Sequence, residues 1–335
     1  MARVHLRLQQ TVDDDATANR VICNDDPVTY VPPPIIEPKD VPAFTRNDSF
    51  DPERYLYHYT TWECLLDIAH SRSLRLSSVI RMNDPRESKQ WFFSHSSGPE
   101  APPDVGKRLL SAELAFRSHV NVAAFATDRP ATKPVLFDAG YARPRMWAQY
   151  SGNHTGICLV LDRAELIKRF EALFATVPDA HLTSANVRYE RVDPVQPSVS
   201  IGGAGTATDL ETTVRRFFVD HWLDAFYVKH EDWRDEREFR LAVFHPGHTG
   251  PFYVDLVGAV AGLVLGVDFA DEHVAVAKVF NDELDVGGRI ARIQWIRLGH
   301  RLLPVAEDGG RWVVSHSKAA VAASLRWGTA RPSAP

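Results

Sequence analysis

Segments with strand character and segments with helix character are interleaved along this chain without the regular spacing of repeated βαβ units. That pattern favours an α+β fold over a doubly wound sheet. Ile157-Cys158-Leu159-Val160-Leu161 is a continuous apolar run, as expected of a buried strand. Tyr55 to Thr60 alternates, with His58 and Thr60 on one face and Tyr57 and Tyr59 on the other. Further strands are expected at Leu74–Leu76, Val120–Ala126, Val187–Tyr189, Phe239–Phe244, Phe252–Leu256, Gly262–Leu265 and Ile290–Arg297. Helical periodicity covers Val105–His119, Ala164–Phe174, Leu210–Lys229 and Glu272–Asn281, with a short helix inside 139–152. Pro194 to Thr208, rich in Pro, Gly, Ser and Thr, reads as a long loop.

The 335 residues suffice for one sizeable core. Residues 1–51 carry an acidic run, Asp13-Asp14-Asp15, and a proline run, Pro32-Pro33-Pro34, and read as a peripheral arm. A single domain is expected over 52–325, followed by a frayed tail over 326–335. The net charge of -5, from 38 basic and 43 acidic residues, argues against generic coating of a nucleic acid. Three cysteines, with no C-x-x-C pair, fit a reducing compartment, and Cys64 and Cys158 read as small core residues. The N-terminus has no signal-peptide pattern and no apolar run is long enough to span a bilayer, so a cytoplasmic protein is expected. Neither a Gly-rich dinucleotide fingerprint nor a Walker A, zincin or nucleophile-elbow motif is present, and the histidines lack metal-ligand spacing.

Candidate functional residues follow from position. His58 stands at the end of a strand just before a helix start, where a neutral imidazole can hydrogen-bond a ribose hydroxyl. Thr60, three residues before Glu63, is expected to cap that helix in a capping box. Asp84, Pro85 and Glu87 form a second start signal, and Arg81 and Asn83 beside it suit an anion such as a pyrophosphate. Trp147 and Tyr150 lie one turn apart; Trp147 fits a core, and Tyr150 is open to stacking on a ligand ring. Glu236 and Glu238 share a face if the strand begins early, with Arg237 and Arg240 available to neutralise them. Glu236 reads as a solvated strand edge. Glu238 suits stabilisation of an oxocarbenium-like transition state. Lys229, His230, Asp232 and Trp233 precede the acidic pair and are expected on the same rim.

The ordered motifs Leu56-Tyr57-His58-Tyr59-Thr60, Met82-Asn83-Asp84-Pro85, Phe125-Ala126-Thr127, Met146-Trp147-Ala148-Gln149-Tyr150, Gly156-Ile157-Cys158-Leu159, Val187-Arg188-Tyr189, Lys229-His230-Glu231-Asp232-Trp233 and Glu236-Arg237-Glu238-Phe239-Arg240 resemble the bacterial domain-of-unknown-function 2971 family. That resemblance covers roughly Tyr55 to Leu298. A second resemblance is to ADP-ribosyltransferases, through His58, Tyr150 and Glu238 in that order and the E-x-E pattern of Glu236 and Glu238; no Ser-Thr-Ser motif accompanies them. This likeness implies a mixed, split β-sheet flanked by helices, with NAD as substrate in its cleft. It also implies transfer of ADP-ribose to a protein, a nucleic acid or water, and a role in phage defence or as a toxin. His58, Tyr59, Thr60, Arg81, Asn83, Trp147 and Tyr150 would then hold NAD, with Glu238, His58 and Tyr150 at the chemistry. Two other readings remain open: a phosphotransferase or nucleotidyltransferase acting on RNA ends, and a nucleotide sensor without turnover.

Overall fold

The computed structural model describes residues 51–89, 91, 93–97, 103–130, 139–192, 195, 198–201, 207–284, 290–296, 299–308 and 311–314. Apart from Asp51, the expected N-terminal arm lies outside them, as do Cys23 and the tail.

The fold is α+β, with a mixed sheet flanked by helices. Its strands include β1 (Tyr55–Thr60), β2 (Ser73–Ser78), β4 (Val120–Thr127), β5 (Ile157–Asp162), β6 (His181–Asn186), β10 (Glu238–Phe244), β11 (Phe252–Asp255), β12 (Val260–Leu265), β13 (Ile290–Ile296), β14 (Gly299–Asp308) and β15 (Arg311–Val314). The order is β11-β2-β4-β1-β5-β12-β13-β14-β15, and β10, carrying β6 on its other side, also pairs with β4. The β12–β13 pair is parallel, which makes the sheet mixed. Two small parallel pairs stand apart: β3 (Ser94–Ser97) with β8 (Ser198–Ile201), and β7 (Arg188–Glu190) with β9 (Val228–His230).

One feature of the register positions the site. β10 pairs with β4 over its whole length, from Glu238↔Ala126 to Phe244↔Val120. On the other edge of β4, β1 is in register only at Leu56↔Thr127 and Tyr57↔Ala126. At the far end of that edge, β2 is in register only at Ser77↔Val122 and Ser78↔Asn121. Between these short pairings, over residues 123–125, β1 and β2 diverge and leave a seam within the sheet. Beyond Tyr57, β1 remains paired with β5 through to Thr60↔Ile157.

Side-chain alternation sends Leu56, Phe125, Leu161, Leu241 and Leu263 to one face. There they pack with Leu65 and Ile68 of α1 (Trp62–Ser71) and with Leu166 and Phe170 of α5 (Arg163–Phe174). The opposite face has two cores. In one, Val120, Val122, Ala242 and Phe244 meet α3 (Val105–Ser118), α6 (Ala207–Asp220) and α7 (Trp222–Phe226) through Leu109, Phe116, Phe218 and Phe226. In the other, Tyr57, Tyr59, Cys158, Val160 and Val264 pack on Met146 and Trp147 of α4 (Pro144–Tyr150).

Several expectations are corrected. The cap of α1 is Thr61, whose hydroxyl accepts from the Cys64 amide at 3.4 Å, while Thr60 ends β1 and is buried. Cys64 is exposed; Cys158 is in the core. The helix expected over Leu210–Lys229 breaks after Asp220 and again at Tyr227, because Val228–His230 leaves to pair with β7. Part of the expected loop Pro194–Thr208 forms β8, and β3, β6, β14 and β15 were not visible in the apolar pattern.

Candidate active site

A cleft of about 240 Å³ opens at the seam. Its lining includes His58 and Tyr59 from β1, Arg75 and Ser77 from β2, and Arg81 and Asn83 from the segment that follows. Met146 and Tyr150 come from α4, Lys229 from β9, Glu236 from the turn that precedes β10, and Glu238 from the first position of β10. Small residues of β4, Ala123, Ala124 and Ala126, line the cleft beside them. His58, Tyr59, Arg81, Asn83, Tyr150 and Glu238, chosen from sequence, therefore meet in one place. Thr60 and Trp147 do not line it: Trp147 is buried behind, its indole N–H donating to Tyr141 O at 2.8 Å and its ring edge-on to Tyr59.

His58 and Glu238 approach the cleft from different faces. Tyr57, Ala126 and Glu238 lie directly across from one another, so they share a face, and His58 points to the other. The His58 ring leans on Phe125 and its Nδ1 lies 3.2 Å from Ala124 O, in the stretch where β4 has lost β1. Burial lowers the pKa of this imidazole, which outweighs the opposing effect of the carbonyl. The neutral ring that donates from Nδ1 to Ala124 O keeps Nε2 as a hydrogen-bond acceptor.

The cleft wall opposite β2 is a buried charge cluster. Lys229 Nζ lies 2.7 Å from Glu238 Oε2 and 2.9 Å from Glu236 Oε2. Arg240, fully buried, places Nε 2.5 Å from Glu238 Oε1 and Nη2 2.5 Å from Glu87 Oε1, and its Nη1 donates to Phe226 O. Tyr150 donates its hydroxyl to Glu236 Oε1 at 2.8 Å. The Glu238 amide donates to Tyr189 Oη at 2.8 Å. Burial alone would raise the pKa of Glu238, but Arg240 and Lys229 outweigh it and hold the carboxyl down at about 2. Lys229 and Arg240 are pushed the opposite way: burial lowers them, and the carboxylates more than offset it. Burial first and Glu236 second raise the Tyr150 hydroxyl, so it remains a donor.

The two late glutamates converge for a reason other than strand alternation. β10 begins only at Glu238; Glu236 ends a 3-10 turn, and Arg237 between them is left-handed at φ 44°. The Arg237 carbonyl accepts from both the amide and the hydroxyl of Thr127, which anchors the turn to β4. Glu236 is thus buried and paired, contrary to the solvated edge expected of it. The cations that pair with the two glutamates are Lys229 and Arg240. His230 pairs instead with Asp232, away from the cleft lining.

Sequence reasoning missed Glu87, Arg75 and Ser77. Glu87 was expected to close a capping box with Asp84, but its side chain reaches across to Arg240 and Lys229. The buried Arg117 fixes it from behind, donating to the carbonyls of Glu87 and Lys89 while paired with Glu113 at 2.9 Å. The need to neutralise two buried acids was the available signal for Lys229. No grouping of His, Cys, Asp and Glu among the described residues could hold a metal ion, and none of their helices is long and apolar enough to cross a membrane.

Residues 146–241 match the model of a family described as protein of unknown function (DUF2971). The match is narrower than the resemblance read from the motifs; it takes in Tyr150, Lys229, Glu236, Glu238 and Arg240 and leaves out His58, Arg81 and Glu87. No curated protein and no solved structure matches the chain.

Proposed function

We propose that this chain is an NAD-using enzyme of the ADP-ribosyltransferase type. It cleaves the bond between nicotinamide and ribose and passes ADP-ribose to a macromolecule or to water. The observation that carries this reading is the meeting of His58, Tyr150 and Glu238, distant in sequence, around one cleft whose acid is held ionised. In the reaction the C1′–N bond breaks, its electron pair leaves with nicotinamide, and positive charge develops on the ribose. The ionised Glu238 carboxylate, in a site largely shielded from water, stabilises that charge. His58 Nε2 accepts from a ribose hydroxyl, the Tyr150 ring lies against nicotinamide, and Arg81 with Asn83 meets the diphosphate. The acceptor then attacks C1′ and loses a proton to solvent.

A second reading has its own support. Both oxygens of Glu238 are already engaged by Arg240 and Lys229, which suits a module that binds a nucleotide without turnover. Release of labelled nicotinamide from NAD, followed with and without cell extract as a source of acceptor, separates the two. The wild-type protein is expected to release it, and Glu238→Gln to lower the rate at least about a hundredfold. Saturable NAD binding without release would favour the sensor. Absence of both binding and release would sink the enzyme reading, and equal release by Glu238→Gln would sink the role given to Glu238.

A further inference from the structure

The cleft is polarised in a way that the reaction just proposed does not require. Its buried wall holds three carboxylates, Glu87, Glu236 and Glu238, against two cations, Lys229 and Arg240. The pair Arg117–Glu113 behind it is self-neutralising. With every group ionised, the wall carries one uncompensated negative charge. On the rim, Arg75 and Arg81 are exposed and form no ion pair with any described carboxylate; Arg75 Nε donates only to Ser77 Oγ, at 3.1 Å. The matching ligand is a dipole, with a cationic group inward and an anionic group at the rim.

The three carboxylates are not equally satisfied. Glu236 has Tyr150 and Lys229, and Glu238 has Arg240 and Lys229. Glu87, whose side chain is 8% exposed, has no well-aligned hydrogen bond at either oxygen. Its Oε1 is close to Arg240 Nη2 but off the donor direction, and its Oε2 stands 3.8 Å from Lys229 Nζ. A buried carboxylate with the poorest pairing is the cheapest place for a proton.

We propose that the wall exchanges a proton for a cationic ligand group, and that Glu87 is the carboxylate that carries the proton when the cleft is empty. The proton leaves Glu87 for bulk water as the cation enters, so the net charge of the wall with its ligand stays near zero. Glu87 does not line the cleft; it acts through Arg240 and Lys229 and is a positioning residue. The groups facing it are Arg240 and Glu238 from β10, Lys229 from β9, Glu236 through Lys229, and Arg117 and Glu113 from α3. Burial raises its pKa, and Glu238 adds to the rise, against the lowering effects of Arg240 and Lys229. This inference rests on the reading of the cleft as a nicotinamide site, and oxidised NAD, with its pyridinium and diphosphate, is the dipole it would take.

The test uses the cationic ring N1-methylnicotinamide and the neutral ring nicotinamide, titrated calorimetrically into the full chain in two buffers of different ionisation enthalpy, from about pH 5 to about pH 8. The wild-type protein is expected to bind the cation about tenfold or more tightly than the neutral ring above the pKa of Glu87. It should release a proton on doing so at the acid end, with affinity for the cation rising with pH and then levelling. Glu87→Gln should abolish the proton release and flatten the pH profile; Glu87→Asp, which keeps the charge, should retain release and shows that the loss is not misfolding. Equal proton release by Glu87→Gln, preference for the neutral ring, or no binding of the cation would each overturn the proposal. A protein that keeps the cation preference and proton release but never cleaves NAD would overturn the proposed function alone.

Discussion

At the residue scale, Arg240 is the hinge of the site's electrostatics. Its guanidinium reaches Glu238, Glu87 and the Phe226 carbonyl at once, from a position with no solvent exposure. Removing one partner from such a buried group leaves charges without compensation, which costs far more than the pair contributes against an apolar alternative. Arg240→Met is therefore expected to lower stability by about 3–5 kcal/mol, read from the shift in a denaturant-unfolding midpoint. Arg240→Lys should recover only part of the loss, because an ammonium cannot span both carboxylates in the plane of a guanidinium. That His58, Tyr150 and Glu238 line the cleft was legible in the sequence because each is a polar or ionisable side chain near the end of a recognisable element. Glu87 was not, since a Glu two residues after a proline at a helix start has a sufficient local explanation as a capping partner. Only the tertiary approach of β10 gives it another role.

At the scale of elements, strand and helix cores were visible wherever periodicity was strong, and the ends were not. The step from β1 into α1 is an example. Thr60 and Thr61 both suit a cap by residue type, and Glu63 favoured the earlier one. The full pairing of β1 with β5 through Thr60↔Ile157 keeps Thr60 extended and passes the cap to Thr61. Thr61→Ala is expected to cost about 1 kcal/mol through loss of the cap, seen as a lower melting temperature. Thr60→Ala should leave helix capping untouched. The strands β6 and β14 escaped notice for different reasons: His181–Asn186 is largely polar, the apolar centre of Gly299–Asp308 is interrupted by Pro304, and the neighbours β10 and β13 impose the strand state of each.

At the scale of the whole molecule, protonation governs the response to acid. Burial holds the His300 imidazole, packed against Tyr141 and Trp295, down at about 4. An unfolded histidine titrates near 6.5. Between those values the unfolded chain binds the extra proton, so stability falls as pH drops from about 6.5 to about 4, by roughly 3 kcal/mol. Glu238 acts in the next window: its native value of about 2 lies below the unfolded 4.5, so its contribution is present above 4.5 and lost as pH falls towards 2. Glu87, with its raised value, takes up its proton above 4.5 and so works against the first loss, not the second. Melting temperature against pH is expected to decline in two stages, and His300→Gln should shrink the first, to which His58 also contributes through its lowered pKa. A single decline unchanged in that variant would contradict the assignment. The α+β class was readable at this scale from the irregular interleaving of elements. The seam was not, because it depends on where two strands stop pairing with a third.

That seam has a kinetic consequence. The Thr127 amide bonds to Arg237 on the β10 side, so alternation turns Ala123 and Phe125 towards β10 and Ala124 away from it. Ala124 faces the open stretch between β1 and β2, with the His58 ring at its carbonyl. Its amide proton sits amid interior strands yet has no partner strand in register. In a hydrogen-exchange experiment the two flanking amides should be among the slowest in the molecule, while that of Ala124 exchanges on the timescale of a surface loop. A ligand seated in the cleft would slow this one amide selectively, making it an intrinsic reporter of occupancy.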